Sequence, residues 1–155
     1  MHVIGKLAYT DGSISAAPTT SKVLIDGRPV SFESYNISGY NYFKLRDLAM
    51  ALNGTNKQFE IGYDGKTNTI NITTNKAYTP VGGELAVSAK PTAKTARPTT
   101  SKVFVNGKEV KFTAYNIGGN NYFKLRDVAK VIDFGVAYDG KTNTISIDTS
   151  ATYTE

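Results

Sequence analysis

Tyrosine and asparagine are the residues whose types and spacing here bear most directly on chemistry. The chain of 155 residues holds ten tyrosines and no tryptophan. Tyr40-Asn41-Tyr42 sets two rings around an amide, and Asn120-Asn121-Tyr122 stands in the matching place later in the chain. Tyr35 and Tyr63 recur in the same way as Tyr115 and Tyr138. Rings beside amides suit sugar recognition: the ring face stacks on a pyranose and the amide bonds its hydroxyls. Tyr35, Tyr40, Asn41, Tyr42, Tyr63, Tyr115, Asn121, Tyr122 and Tyr138 are therefore the candidate ligand-binding residues. The competing reading is sheet packing, because a tyrosine suits a half-buried strand position equally well. Tyr42-Phe43-Lys44 also interleaves aromatic and basic groups, as single-strand binders do, but no RNP-like or OB-like arrangement surrounds it. A nucleic-acid partner is not expected.

Other chemistries find few groups. There is no cysteine, which removes thiolate nucleophiles, disulfides and zinc-thiolate sites together. His2 is the single histidine and lies outside both copies of the repeated pattern, so neither a Ser-His-Asp triad nor a histidine metal site can be assembled. Asp64-Gly65-Lys66-Thr67-Asn68 lacks the alternating acids and final glutamate of a calcium loop and reads as a β-turn. The acids present in both copies are Asp47/Asp127 and Asp64/Asp139, placed at a helix start and a turn. Gly118-Gly119 opens no phosphate-binding pattern. Arg46 and Arg126 at the helix start read as structural, pairing an acid or covering a sheet edge; clamping a carboxylate or phosphate is the other use open to them. The expectation is a protein that is not an enzyme, with no metal and no cofactor.

These residues sit on an internal duplication. Pro18-Thr19-Thr20-Ser21-Lys22-Val23 returns as Pro98-Thr99-Thr100-Ser101-Lys102-Val103, and from Pro18 to Asp47 twenty of thirty positions are identical 80 residues on. Tyr63-Asp64-Gly65-Lys66-Thr67-Asn68-Thr69-Ile70 returns as Tyr138 through Ile145, now 75 residues on. The five-residue difference falls at Asn53–Gln58, where a surface loop absorbs it. Gly5-Lys6-Leu7-Ala8 echoes Gly83-Glu84-Leu85-Ala86. The division that follows is 1–79 as a first repeat with its core at 18–74, 80–97 as a linker or flanking strand, and 98–155 as a second repeat.

Within each repeat, Val23-Leu24-Ile25 and Val30-Ser31-Phe32 flank an Asp-Gly hairpin turn, and the second copy uses Asn106-Gly107. A glycine turn at Gly39, matched by Gly118-Gly119, precedes the extended Tyr42-Phe43-Lys44. Leu45, Leu48, Ala49 and Leu52 give a helix one apolar face, as do Leu125, Val128, Ala129 and Ile132. Two alternating strands around Asp64–Asn68 complete the unit. The fold class expected is α+β: tandem β-β-α-β-β modules, each a small antiparallel sheet packed on one helix. A core of that size is marginal without disulfides, so the copies should bury surface on each other or share flanking strands.

Leu45-Arg46-Asp47-Leu48-Ala49 followed by Tyr63-Asp64-Gly65-Lys66-Thr67-Asn68-Thr69-Ile70 resembles the copper amine oxidase N-terminal-like domain, or stalk domain. Leu125-Arg126-Asp127-Val128-Ala129 and Tyr138–Ile145 repeat the pattern, so the resemblance covers most of both copies. The family usually has proline before the Leu-Arg pair and tryptophan before Asp-Gly. Here those places hold Lys44 and Lys124, and Tyr63 and Tyr138. The resemblance implies a sheet wrapped around a helix, no metal held by the domain itself, and a bacterial cell-surface or extracellular setting; the residues from Met1 to Lys6 are not expected to act as a signal peptide. A net charge of +5 favours cell-wall polysaccharide or another anionic polymer as a partner. The function expected is a non-catalytic surface module, acting as a spacer or as a weak cell-wall or carbohydrate-binding unit. The alternative is a protein–protein interaction module that positions a neighbouring enzyme domain. No membrane span is expected, because no apolar run reaches the required length.

Overall fold

Glycine-bearing turns cut the chain into short strands. The computed structural model describes residues 12–155, so His2 and the Gly5–Ala8 echo lie outside the described residues. The first repeat comprises β1 (Ile14–Pro18), β2 (Lys22–Ile25), β3 (Arg28–Pro29), β4 (Tyr35–Ile37), β5 (Tyr40–Lys44), α1 (Leu45–Ala51), β6 (Phe59–Asp64) and β7 (Thr69–Thr74). The second comprises β8 (Lys94–Pro98), β9 (Lys102–Val105), β10 (Lys108–Glu109), β11 (Ala114–Ile117), β12 (Asn120–Lys124), α2 (Leu125–Ile132), β13 (Gly135–Asp139) and β14 (Thr144–Asp148). Asp26-Gly27 and Asn106-Gly107 carry positive φ at both residues, the two-residue hairpin geometry their types favour. The length difference between repeats falls in the loop between α1 and β6.

The sheets do not respect the repeat boundary. β1, β4, β5, β12, β11 and β8 close, in that order, into an antiparallel six-stranded barrel. A second sheet runs β10-β9-β7-β6 and a third β13-β14-β2-β3. In each of these the hairpin that opens one repeat joins the strand pair that closes the other. The joints are parallel: Ile145 pairs with Val23, and Ile70 with Val103. Within the barrel Ser15 pairs with Thr95 and Phe43 with Phe123. Each of those residues faces its own copy 80 positions away, so a pseudo-twofold axis passes through both pairs.

This overturns the expected α+β fold of tandem β-β-α-β-β modules, each with its own antiparallel sheet and helix. The described residues are mostly β, with one barrel, two mixed sheets and two short helices among them. The physical reason lies in the helices and the first hairpins. A helix of seven or eight residues is only roughly 10–12 Å long and cannot cover a sheet. Among the described residues the β2–β3 hairpin has no neighbouring strand from its own repeat, yet Val23 and Ile25 are buried. Both needs are met by the other repeat.

Two apolar clusters result. One joins α1, α2, the outer barrel wall at Phe43 and Phe123, and the inner faces of both mixed sheets. The other fills the barrel with Ala16, Tyr35, Ile37, Tyr42, Ala96, Ile117 and Tyr122, with Tyr115 packed against it. Small barrels are filled by side chains in this way. Among the described residues no helix is long and apolar enough to cross a membrane.

The segment between β7 and β8 is strapped onto the first repeat. Tyr78 N–H donates to Asn53 Oδ1 at 3.0 Å, Thr79 donates to Glu60, Leu85 N–H to Asp47 Oδ1 at 2.8 Å, and Ser88 N–H to Glu33. Asp47 is buried, and its Oδ2 has no hydrogen-bond partner among the described residues. Burial raises its pKa, with Glu84 and Glu33 adding to the rise and the Leu85 N–H and Lys44 opposing it. An acid with a raised folded pKa favours folding while protonated and loses that advantage as pH climbs through and beyond its unfolded value. Asp47→Asn removes the ionisation. The melting temperature of the variant relative to the parent is therefore expected to rise as pH climbs above about 4. Parallel pH curves for the two proteins would contradict this assignment.

Candidate functional site

The strand ends of one repeat meet the turns of the other to form two grooves related by the pseudo-twofold axis. The first, of about 550 Å³, takes Lys44, Arg46, Tyr63 and Asn68 from the first repeat and Thr99, Thr100, Ser101, Asn116, Asn120 and Asn121 from the second. The second, of about 590 Å³, takes Lys124, Arg126, Tyr138 and Asn143 from the second repeat and Thr19, Thr20, Ser21, Asn36, Tyr40 and Asn41 from the first. Position for position they carry nearly the same groups: Tyr40 in the second groove stands where the first has Asn120, Val136 where it has Ile61, and Arg97 lines the first alone. Arg97 adds a guanidinium to the first groove and donates to Ser13 Oγ at 3.1 Å. Among the described residues, none lining either groove is acidic.

Each groove wall is held by an asparagine in the left-handed region, Asn68 and Asn143, both at φ 51°. Asn143 Nδ2 donates to Thr20 Oγ1 at 3.1 Å, and its Oδ1 accepts from Ser21 Oγ at 2.7 Å and Tyr138 Oη at 2.9 Å. Asn68 makes the equivalent bonds with Thr100 Oγ1, Ser101 Oγ and Tyr63 Oη at 3.0, 2.8 and 2.9 Å. The asparagine thus latches the other repeat and fixes its own tyrosine. The rings lie over the turn, where a Cβ at Gly65 or Gly140 would stand 3.6 Å from the ring in ordinary van der Waals contact. Tyr63 and Tyr138 remain 56% and 54% exposed, so each presents an oriented ring to solvent. Thr19 Oγ1 and Thr99 Oγ1 donate to Asn41 and Asn121 of their own repeat.

The nine tyrosines and asparagines marked by sequence therefore divide. Tyr40, Asn41 and Tyr138 come together in one groove, and Tyr63 and Asn121 in the other. Tyr35, Tyr42 and Tyr122 are withdrawn into the barrel, with Tyr115 half-buried beside them. There they pair edge to face, Tyr35 on Tyr122 at 5.5 Å and Tyr42 on Tyr115 at 5.4 Å. Burial, then the bond to Glu33, pushes the Tyr35 phenol up to about 12. Burial pushes Tyr42 to about 12 and Tyr122 upward as well, so all three stay neutral. These four rings are packing groups.

Thr19, Thr20, Ser21, Asn143 and their copies were not singled out from sequence. A signal was present: Pro-Thr-Thr-Ser-Lys and Asp-Gly-Lys-Thr-Asn-Thr are identical in both repeats. Identity at exposed polar positions marks a shared job, and here the two stretches bond to each other across the repeats. Arg46 donates to Tyr78 Oη at 3.0 Å, not to an acid. Among the described residues no three His, Asp or Glu side chains gather as metal ligands would. The chain matches no protein-family model, no curated protein and no solved structure.

Proposed function

We propose that the protein is a non-catalytic carbohydrate-binding module that takes glycan in the two inter-repeat grooves, in the cell-surface or extracellular setting that its stalk-domain resemblance implies. The observation that carries the reading is the paired grooves themselves. Each offers a fixed, exposed tyrosine ring beside hydroxyls and amides, the combination a sugar ring and its hydroxyls require. Pre-fixing the ring by its bond to Asn68 or Asn143 lowers the ordering cost of binding.

The interlocked repeats weigh against a simple spacer. Duplication here does not place a second body after the first, so it adds little length. It does create two like grooves on one body, and two weak sites on one polymer gain avidity without any new contact. A glycan array and sedimentation with purified cell wall test the reading. Binding is expected, and Tyr63→Ala and Tyr138→Ala should each weaken it about 2- to 10-fold, because an aromatic contact contributes ~0.5–1.5 kcal/mol. No retention on any glycan or wall preparation would refute the proposal and leave the protein-interaction alternative in its place.

A further inference from the structure

We propose that both grooves select anionic glycans, those bearing a carboxylate or phosphodiester along the chain, and that Lys44 and Arg46 in one groove and Lys124 and Arg126 in the other make the selection. The inference rests on the carbohydrate-binding reading and deepens it.

It starts from a local feature. In both repeats a Lys-Leu-Arg triplet spans the junction between a barrel strand and its helix. The central leucine, Leu45 or Leu125, is buried in the main core. The chain turns from extended to helical around it, and both cations flanking it line the groove. Among the described residues no acidic side chain lines either groove; Asp47 and Glu33 interact with Lys44 from outside the lining.

Of the two cations flanking the leucine, one in each groove is braced by a ring, and the braces differ. Arg46 donates to Tyr78 Oη at 3.0 Å and lies 5.9 Å from that ring's centre. Glu84, which accepts from Tyr78 Oη at 2.6 Å and from the Val81 and Gly82 N–H groups, does not line the groove. Burial nudges the Glu84 carboxyl upward, but these bonds outweigh it and hold the group down to about 2. In the second groove Lys124 Nζ sits 4.0 Å from the centre of the Tyr40 ring. A ring holds a cation in place without cancelling its charge. The first groove therefore presents a steadied guanidinium, whose planar fork matches a carboxylate or phosphate, and the second a steadied ammonium. Threonine, serine and tyrosine hydroxyls lie on the same walls to meet sugar hydroxyls.

The test titrates the full chain with polygalacturonate, with a poly(glycerol phosphate) and with a neutral glucan of matched length, at low and raised salt. At least one anionic polymer is expected to bind tenfold or more tightly than the glucan, and the polymer that does so tells carboxylate from phosphate. Arg46→Gln combined with Lys124→Gln should remove most of that advantage. Lys90→Gln combined with Lys108→Gln removes the same charge away from the grooves and should preserve it. Thermal melts of both double variants check folding, and Arg46→Lys should retain part of the affinity. Equal binding of neutral and anionic glycans would overturn the selection while leaving carbohydrate binding intact. An equal loss in the Lys90/Lys108 variant would overturn it in favour of net charge. Failure of every glycan to bind would remove both readings.

Discussion

Replacing Phe43 or Phe123 by alanine is expected to destabilise the whole protein by about 3–5 kcal/mol, in one cooperative transition. The two residues face each other where the pseudo-twofold axis crosses the barrel wall, and neither has any exposed surface. Each ring also meets a second one edge-on, Phe32 at 5.0 Å and Phe112 at 5.2 Å. Truncation leaves a cavity against rigid strands and removes that ring pair. Domains of this kind have ~5–15 kcal/mol in total, so one substitution consumes a large part of it. The cluster around these rings draws on both repeats, so neither repeat can keep its packing while the other melts. Denaturant unfolding followed by both far-ultraviolet dichroism and tyrosine fluorescence checks this. Two separated transitions, or a loss below about 1.5 kcal/mol, would contradict a shared core. The double variant is not expected to be additive, because the sites touch.

Cutting the chain between the repeats should not separate them. A protease site inserted between Ala89 and Lys90 falls in an exposed stretch, beyond the strap bonds at Leu85 and Ser88. After cleavage the two fragments still share the antiparallel β1–β8 and β5–β12 pairs and the parallel β2–β14 and β7–β9 pairs. Side-chain latches add to these. Thr149 donates to Asp26 through its N–H and its Oγ1, at 2.8 and 2.7 Å, and Thr74 and Asn106 form the matching pair. Each such bond contributes ~0.5–1.5 kcal/mol net, and burial of the shared apolar cluster adds far more. The nicked protein is expected to elute as a single species of the parent size and to come apart only in denaturant. Its melting temperature should become concentration-dependent, because folding is then also association. Separate elution of two folded fragments would show that each repeat is self-sufficient.

The same interlock explains what could be read from residues alone. The duplication, the Asp-Gly and Asn-Gly hairpins and the helix starts at Leu45 and Leu125 were legible, because each depends on contacts within a few residues. Tyr40, Asn41, Tyr63, Asn121 and Tyr138 could be marked as candidates by type, since an amphipathic ring beside an amide is a local fact. Tyr42 carried the same mark, yet it lies inside the barrel while Tyr40 is 52% exposed two residues earlier on the same strand. Only closure of the barrel separates them.

What sequence by itself determined, then, was the unit, its turns, its helix and its stock of groups. Tertiary structure decided which strands pair. Val23-Leu24-Ile25 has the same apolar, strand-favouring character whether its neighbour is its own repeat or the other, and strand pairing needs nothing more specific than that. The choice was made by total burial: two short helices and two orphan hairpins cover their apolar faces together and cannot do so apart. The grooves follow from that choice. Asn68 and Asn143 look like turn residues in the sequence, and only pairing across the repeats brings Ser101 and Ser21 within reach of them.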